Sequence, residues 1–578
     1  MNNNKIKINN NIKETDYPFI TVKVDGKRIK YPECVSTIAT CSQYNKISML
    51  EIHAENHLGI FDDIIVSDTD TFTTKSDIEV WLGATVNSED CCIFKGEIIE
   101  LGISEMGKRL NVSAKHIAEK MTKERKLHNF ENKPADEIIN SICHDYGIKL
   151  DMDPLEKKGN PEKDVQYNVT DWDFINIIAE RNGLLVFTTP EGISVKRPDA
   201  KGKIALCATQ EDNIVDIEIN NDSRYSHKNY TVQAWNYTEQ ETDESYVNNT
   251  STVSENDDND SGEDMTILSM SSQEDTYATE TYQEALSMRN DLSYIRGKMT
   301  LLGQAPVLPN DTIQIKQVWK EFDTNVIASK VIQLITTEEW QTLIEFGYDD
   351  TPYMNRYDDV IAKPSQGTIP GVNGLQLAKV EGIGEDPLGE ERIYIRLLDS
   401  ADTKIWARIA TLDAGNQRGT FFMPEIGDEV IVGFIDDNPN QAVILGMLHS
   451  SQAPNHFQLS DDNHIKGYVS REKIIIQFDD EKKAVSIETP GGNKVLISDE
   501  DKGISMEDQN GNTLILNDQG ITIESKKALT IKAAQDVTIE GNNVNIKANT
   551  QLKATGSASA ELSASGNTVV KGAMVQIN

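Results

Sequence analysis

From Lys473 to Asn578 the chain repeats one short apolar rung. The pairs are Ile474/Ile476, Val485/Ile487, Val495/Ile497, Ile504/Met506, Leu514/Leu516, Ile521/Ile523, Leu529/Ile531, Val537/Ile539, Val544/Ile546 and Leu552/Ala554. Alternation inside a rung describes a short strand with one apolar face. A fixed short period describes a repeat architecture, in which a rung buries that face only by stacking on its neighbours. Rungs lie about ten residues apart at first and seven or eight apart from Leu514 onward. Two closures fit the period: one chain coiled as a β-solenoid, or three identical chains each supplying one face of a prism. Either gives a stiff rod. Small residues between Gly556 and Gly566 thin it, and Val569, Val575 and Ile577 resume the pattern at its end.

A chain of 578 residues is expected to hold several domains. Its formal charge of −37 argues against a nucleic-acid partner, which needs clustered Lys and Arg. There is no apolar run long enough for a transmembrane helix, and Met1–Lys13 lacks the apolar core of a secretory signal. Cys34, Cys41, Cys91, Cys92, Cys143 and Cys207 form no Cys-x-x-Cys pair, so ordinary buried thiols in a reduced, cytoplasmic protein are expected.

Residues 17–110 read as β, with Asp25-Gly26 as a hairpin turn. Pro134 opens a helix carrying Ile138, Ile142 and Tyr146 inward and ending at Gly147. Thr170-Asp171-Trp172-Asp173 caps a second, continued by Phe174, Ile177, Ile178 and Arg181. An acidic, Ser-rich insertion is expected over about 239–276, with Ser254–Asp264 lacking apolar side chains. A third helix is expected over Tyr282–Arg296, followed by strands to Gly347. Together these predict a compound hub over 1–350, with strands from both ends of the segment. A linker at 351–374, a small barrel of the oligonucleotide/oligosaccharide-binding type at 375–450, a connector at 451–472 and a β-helix spike at 473–578 complete the mainly β reading.

Two stretches resemble the VgrG family. One is Gly419 to Phe434, with Phe422, Pro424, Gly427, Asp428, Glu429, Gly433 and Phe434, continued by Asp436 to Pro439 and by Ala442 to Gly446. The other is Thr170-Asp171-Trp172-Asp173-Phe174 with Glu180-Arg181-Asn182-Gly183. Read on their own, Pro424 leads into a tight turn, Gly427-Asp428 forms it, and Gly446 allows a close backbone approach.

The resemblance implies a homotrimeric hub and spike of a contractile injection machine, with an intertwined triple-stranded β-helix needle. It implies a hub capping an Hcp-like inner tube among baseplate proteins, and a needle core that includes Ile521, Ile523, Leu529, Ile531, Val537, Ile539, Val544 and Ile546. It further implies a PAAR-repeat tip protein seated on Val575, Ile577 and Asn578, effector cargo, cytoplasmic assembly and delivery by puncture of a target membrane. The segment from Leu448 to Lys473 is too short for the lysozyme domain of some relatives, and the last histidine, His464, lies far from the tip, so no iron-binding His-x-His loop is expected.

No cofactor, metal or catalytic residue is expected. His53 and His57 lack the His-Glu-x-x-His order of a zinc protease, and Ser67–Thr71 lacks the Gly and distal Glu of a calcium loop. The competing readings are a spike with glycan-hydrolase activity hidden in hub or barrel, and a receptor-binding fibre.

Overall fold

A computed structural model describes residues 18–577, except 31, 56–71, 86–87, 106–107, 132, 156–163, 223, 225–228, 247–264, 271–275 and 399–402. Ser254–Asp264, His57 and Ser67–Thr71 lie outside the described residues, as does Asn578. The chain divides into two compact units: Met1–Gly374 with Phe434–Gln441, and Leu375–Gly433 with Ala442–Asn578.

The first unit is built on a 13-stranded sheet. Phe19–Val24 turns back into Lys27–Arg28 through Asp25 and Gly26, both at positive φ, the geometry of a type I′ hairpin. The two ends of the unit join in the middle of the sheet. Val35–Gln43 pairs antiparallel with Asn325–Thr336, from Gln43 opposite Lys330 to Thr37 opposite Thr336. Alternate residues Ile38, Leu50, Ile52, Ile78, Val80, Ile98 and Val112 point into one buried cluster. Each such side chain contributes on the order of 2 kcal/mol by leaving water.

Helices α1 (Ala135–Asp145) and α2 (Asp171–Arg181) form a second cluster with the hairpin Leu185–Thr189/Gly192–Lys196. In α2 the inward residues are Trp172, Phe174, Ile175, Ile178 and Ala179; Ile177, expected inward, is only half-buried. The helical register places 175, not 177, on the stripe shared by 171, 172, 178 and 179.

Three expectations are corrected. The acidic insertion is flanked by structure: Glu241–Tyr246 and Met265–Met270 both pair with Asn229–Asn236 in a three-stranded sheet. The third helix, α3, runs Thr276–Ser293, and Arg296 belongs to the strand Ile295–Leu302. Polar composition hid the strands and the first turns of this helix. Finally, Cys207 is exposed, whereas Cys34 and Cys143 are buried.

His116 is a buried group with a stability consequence. Its Nδ1 accepts the Ala118 N–H at 3.2 Å as the cap of the short helix Ile117–Thr122. Burial pushes its pKa down to about 4, against a weaker upward pull from a hydrogen bond with the Thr189 backbone. The fold therefore holds the imidazole neutral. Its contribution is complete above the unfolded value near 6.5 and is lost as pH falls toward 4, roughly 3 kcal/mol in all. Denaturation of the full chain at stepped pH should show the first unit weakening across that window, and His116→Gln should flatten the slope. An unchanged slope in the variant would assign the pH dependence elsewhere.

Candidate assembly surface

In the second unit, Gln376–Gly382, Ile393–Leu397, Lys404–Ile409, Ala442–Met447 and Glu429–Phe434 close into a five-stranded barrel. Ala378, Val380, Ile395, Ala407, Val430 and Ile444 fill it. The turn before its strand Glu429–Phe434 is built by the signature residues. Pro424 is buried. The Asp428 N–H donates to the Glu425 carbonyl at 3.0 Å, and the Asp428 carboxylate accepts the Glu425 N–H at 2.8 Å. Gly427 takes a φ of 93°, which a side chain would resist.

The close approach expected at Gly446 falls at Gly433 instead. A Cβ on Gly433 would lie 3.2 Å from Leu445 Cδ1, whereas nothing lies within 4 Å of one on Gly446. Gly433 sits between the side chains of Leu375 and Leu445.

The same signature loop grips the base of the rod. The Phe422 ring lies 4.8 Å from that of Tyr468, tilted at 59°, and Arg471 Nη1 lies 2.9 Å from the Glu425 carboxylate. Tyr468 belongs to Ile465–Val469, so the segment expected as a connector already holds the first strand of the rod.

Seven strands follow in one antiparallel meander, from Ile465–Val469 to Gly520–Glu524. The register lines the rungs into two unbroken columns. One runs Ile476, Ile487, Val495, Met506, Leu514, Ile523. The other runs Phe478, Val485, Ile497, Ile504, Leu516, Ile521. The first rung is thus Ile476/Phe478, one pair later than the Ile474/Ile476 expected. A solenoid would stack parallel rungs, so the antiparallel register removes the single-chain solenoid for this segment. No member of either column is buried. An apolar groove of about 460 Å³ runs beside the first column, lined by Val495, Met506, Leu514, Ile523 and Leu529.

The turns carry a longer repeat that the ten-residue spacing conceals. Lys483 and Lys502, Gly492 and Gly511, and Asn493 and Asn512 are each 19 residues apart. One edge of the sheet turns through the left-handed Lys483 and Lys502, the other through the left-handed Gly492 and Gly511. On the glycine edge Asn493 Oδ1 accepts the Gln509 N–H at 3.1 Å, and Asn512 Oδ1 accepts the Lys526 N–H at 2.8 Å. These amides tie each hairpin turn to the next. The Asp508 carboxyl, which takes the Asn512 and Asn510 N–H groups, is drawn down to about 2.

Residues 525–577 carry no assigned strand, and from Lys526 onward every side chain is exposed. The rungs Leu529/Ile531, Val537/Ile539 and Val544/Ile546 therefore keep their strand pattern without a partner from the same chain. Ile521 and Ile523, within the meander, are exposed as well, and so are Val575 and Ile577 near the end; Ile577 is 90% exposed.

Three family models match in chain order. Residues 14–337, more than half of the chain, match the Alg8 N-terminal domain; 376–449 match the type VI secretion system/phage-baseplate injector OB domain; 484–553 match the phage baseplate V C-terminal trimerisation domain. Among curated proteins, the type VI secretion system spike protein VgrG1a of Pseudomonas aeruginosa is 27% identical over 115 residues, covering 18% of each chain. VgrG5 of the same organism is 34% identical over 98 residues, covering 15% of this chain and 12% of that one. The chain belongs to the VgrG spike family and carries an Alg8 N-terminal domain.

The alignment with these VgrG relatives spans less than a fifth of their length. Among solved structures, an Escherichia coli component of the type VI secretion system is similar at a TM-score of 0.39 and 13% identity, over 74% of this chain and 99% of that one. A Neisseria meningitidis tail protein scores 0.43 at 14% identity, over 59% and 100%. In this VgrG-family chain, the stretch matching the trimerisation domain contains most of the exposed columns. The injector OB match contains the whole Phe422–Asp428 turn.

Sequence reading missed Tyr468, Arg471, Asn493 and Asn512, although the 19-residue recurrence of Gly-Asn was available to it. His53, not expected to bind zinc, lies on a strand opposite Asn111, and His57 lies outside the described residues. Among the described residues no cluster of three His, Cys, Asp or Glu could hold a metal ion.

The ring contact at the base of the rod gives a direct test. Phe422→Ala, Tyr468→Ala and the double variant, compared by chemical denaturation of the full chain, should yield a coupling of about 1 kcal/mol. Strict additivity would mean that the signature loop does not brace the rod.

Proposed function

We propose that the protein is the non-enzymatic, homotrimeric hub and spike of a contractile injection machine of the type VI secretion kind. The observation that carries this reading is the pair of exposed apolar columns, continued by rungs that have no strand partner in their own chain. Two further copies supply both needs at once. Their columns would close a prism over residues 476–523, and their strands would pair with 525–577 to make an intertwined needle. The core would then contain Ile531, Ile539 and their equivalents in layers of three.

In this reading the first unit, with its Alg8 N-terminal domain, meets an Hcp-like tube and the baseplate. A PAAR-type protein caps Val575 and Ile577, effectors ride on the assembly, and sheath contraction drives it through a target envelope. Assembly takes place in the cytoplasm before delivery. The short passage from the barrel strand ending at Met447 to the meander at Ile465 supports a mechanical role, since it leaves no room for an inserted enzyme.

Light scattering at several concentrations should give a mass three times the chain's 64.5 kDa. Ile531→Asp would place three carboxylates in one apolar layer, each costing several kcal/mol to bury, and should expose the needle to protease or abolish the trimer. A monomer at all concentrations, or a variant with an unaltered trimeric needle, would sink the proposal.

A further inference from the structure

The stretch 351–374, expected as a linker, is held against the rest of the first unit at several points, and one of them, Tyr353, is gripped twice by the same helix. Tyr353, in the single-turn helix Tyr353–Arg356, is 2% exposed. Its N–H donates to Glu180 Oε2 at 2.9 Å, and its hydroxyl donates to Asp173 Oδ1 at 2.8 Å. Asp173 and Glu180 are seven residues apart on α2, two turns along one face, so a single tyrosine is held at its backbone and at its ring tip.

Each carboxylate is itself braced. Glu180 pairs with Arg289 of α3 at 2.8 Å, and Asp173 accepts the Thr170 hydroxyl at 2.6 Å. The rest of the strap is pinned from elsewhere. Arg356 Nη1 donates to the Tyr44 hydroxyl at 2.8 Å, and Arg125 donates to the Val360 carbonyl at 3.0 Å and to that of Asp359. Val360 is buried.

Asp173 and Glu180 belong to the stretch Thr170–Gly183 that resembles the VgrG hub pattern. The opposite duties on α2 fall to Asp171 and Arg181. Asp171 takes Tyr146 and Gln166 at 2.8 and 2.9 Å, and Arg181 chelates Asp164 at 2.8 Å. One set of charges fixes the helix in its unit; the other holds the strap. The chain passes from that strap into the barrel at Gly374–Leu375.

We propose that α2, through Asp173 and Glu180, is the mooring that passes mechanical load from the first unit into the strap and on to the barrel and needle. The functional part of this inference rests on the spike reading. The hydroxyl bond to a carboxylate is the strong, directional element, and the tyrosine backbone bond prevents the ring from sliding out.

The test is hydrogen exchange on the full-length protein, comparing wild type with Tyr353→Phe and Glu180→Gln. Tyr353→Phe keeps the ring and removes only the hydroxyl. Strap amides over 353–372 should exchange about tenfold faster, while amides of the central sheet around Ile38 and Ile344 keep their rates. In a pulling experiment with handles on the first unit and on the needle, wild type should show a discrete release of the strap that the variants lose or show at lower force. Unchanged strap exchange in both variants, or a joint loss of protection in strap and central sheet, would overturn the mooring. A monomeric mass would remove the spike reading and its load while leaving the exchange result standing. A trimer with unchanged exchange would remove the mooring alone.

Discussion

A sheet one layer thick cannot bury anything by itself, and residues 465–524 of this chain form a sheet one layer thick. Its backbone is satisfied from Ile465 to Glu524, strand by strand. Its side chains are not. Two columns of Ile, Val, Leu, Met and Phe lie open on one face, and covering them is worth on the order of 10 kcal/mol per chain. That deficit dictates the rest. It requires partners of the same shape, since a repeat of six matched rungs is complementary to another such repeat. It also explains why the rod needs a rigid base: columns in three chains can register only if each meander starts from the same height.

The base is where the signature stretch acts. Phe422 and Glu425 touch Tyr468 and Arg471, so the barrel sets the position of the first strand before any rung is laid on it. Pro424 and Gly427 shape that loop, and Gly433 lets Leu375 and Leu445 lie close over a barrel strand. In the first unit the second signature stretch is likewise spent on joints, with a buried Asp171 taking three side-chain partners and Asp173 held above the usual carboxylate range by burial. Residues that look like a site by charge and burial here hold segments together.

The mainly β architecture, the five barrel strands and the rungs were legible because each rests on local alternation or on a turn residue with one conformational use. Asp25-Gly26 and Gly427-Asp428 are of that kind. Three things were not legible, for physical reasons. The strands Glu241–Tyr246 and Met265–Met270 are polar, and their pairing with Asn229–Asn236 is long-range. The anchoring of 351–360 depends on Glu180, Asp173 and Arg125, which are distant in sequence and ordinary in type. The choice between solenoid and prism depends on strand direction, which a period cannot encode. The assembly surface was readable as a set of residues, while its two columns needed the register.

Strand direction also decides how the rod meets force. In a meander the strands lie crosswise and the ladder hydrogen bonds point along the stacking direction. Seven strands at about 4.8 Å per step stack to roughly 29 Å of rod. A thrust along that direction compresses hydrogen bonds and packed side chains and unravels nothing. A sideways load must shear the sheet, and here the two edges differ. The lysine turns at 480–483 and 499–502 face water and are joined through the backbone, where the Asp499 N–H donates to the Lys483 carbonyl at 3.2 Å and the Glu500 N–H to the Lys482 carbonyl at 3.4 Å. The glycine turns at 489–493 and 508–512 are stitched to the next level through Asn493 and Asn512. The levels are thus tied at both edges, by main-chain bonds at the lysine turns and by side-chain amides at the glycine turns. In a closed prism of three such sheets both kinds of edge would repeat around the axis, and a sideways load on one sheet would be shared by its neighbours.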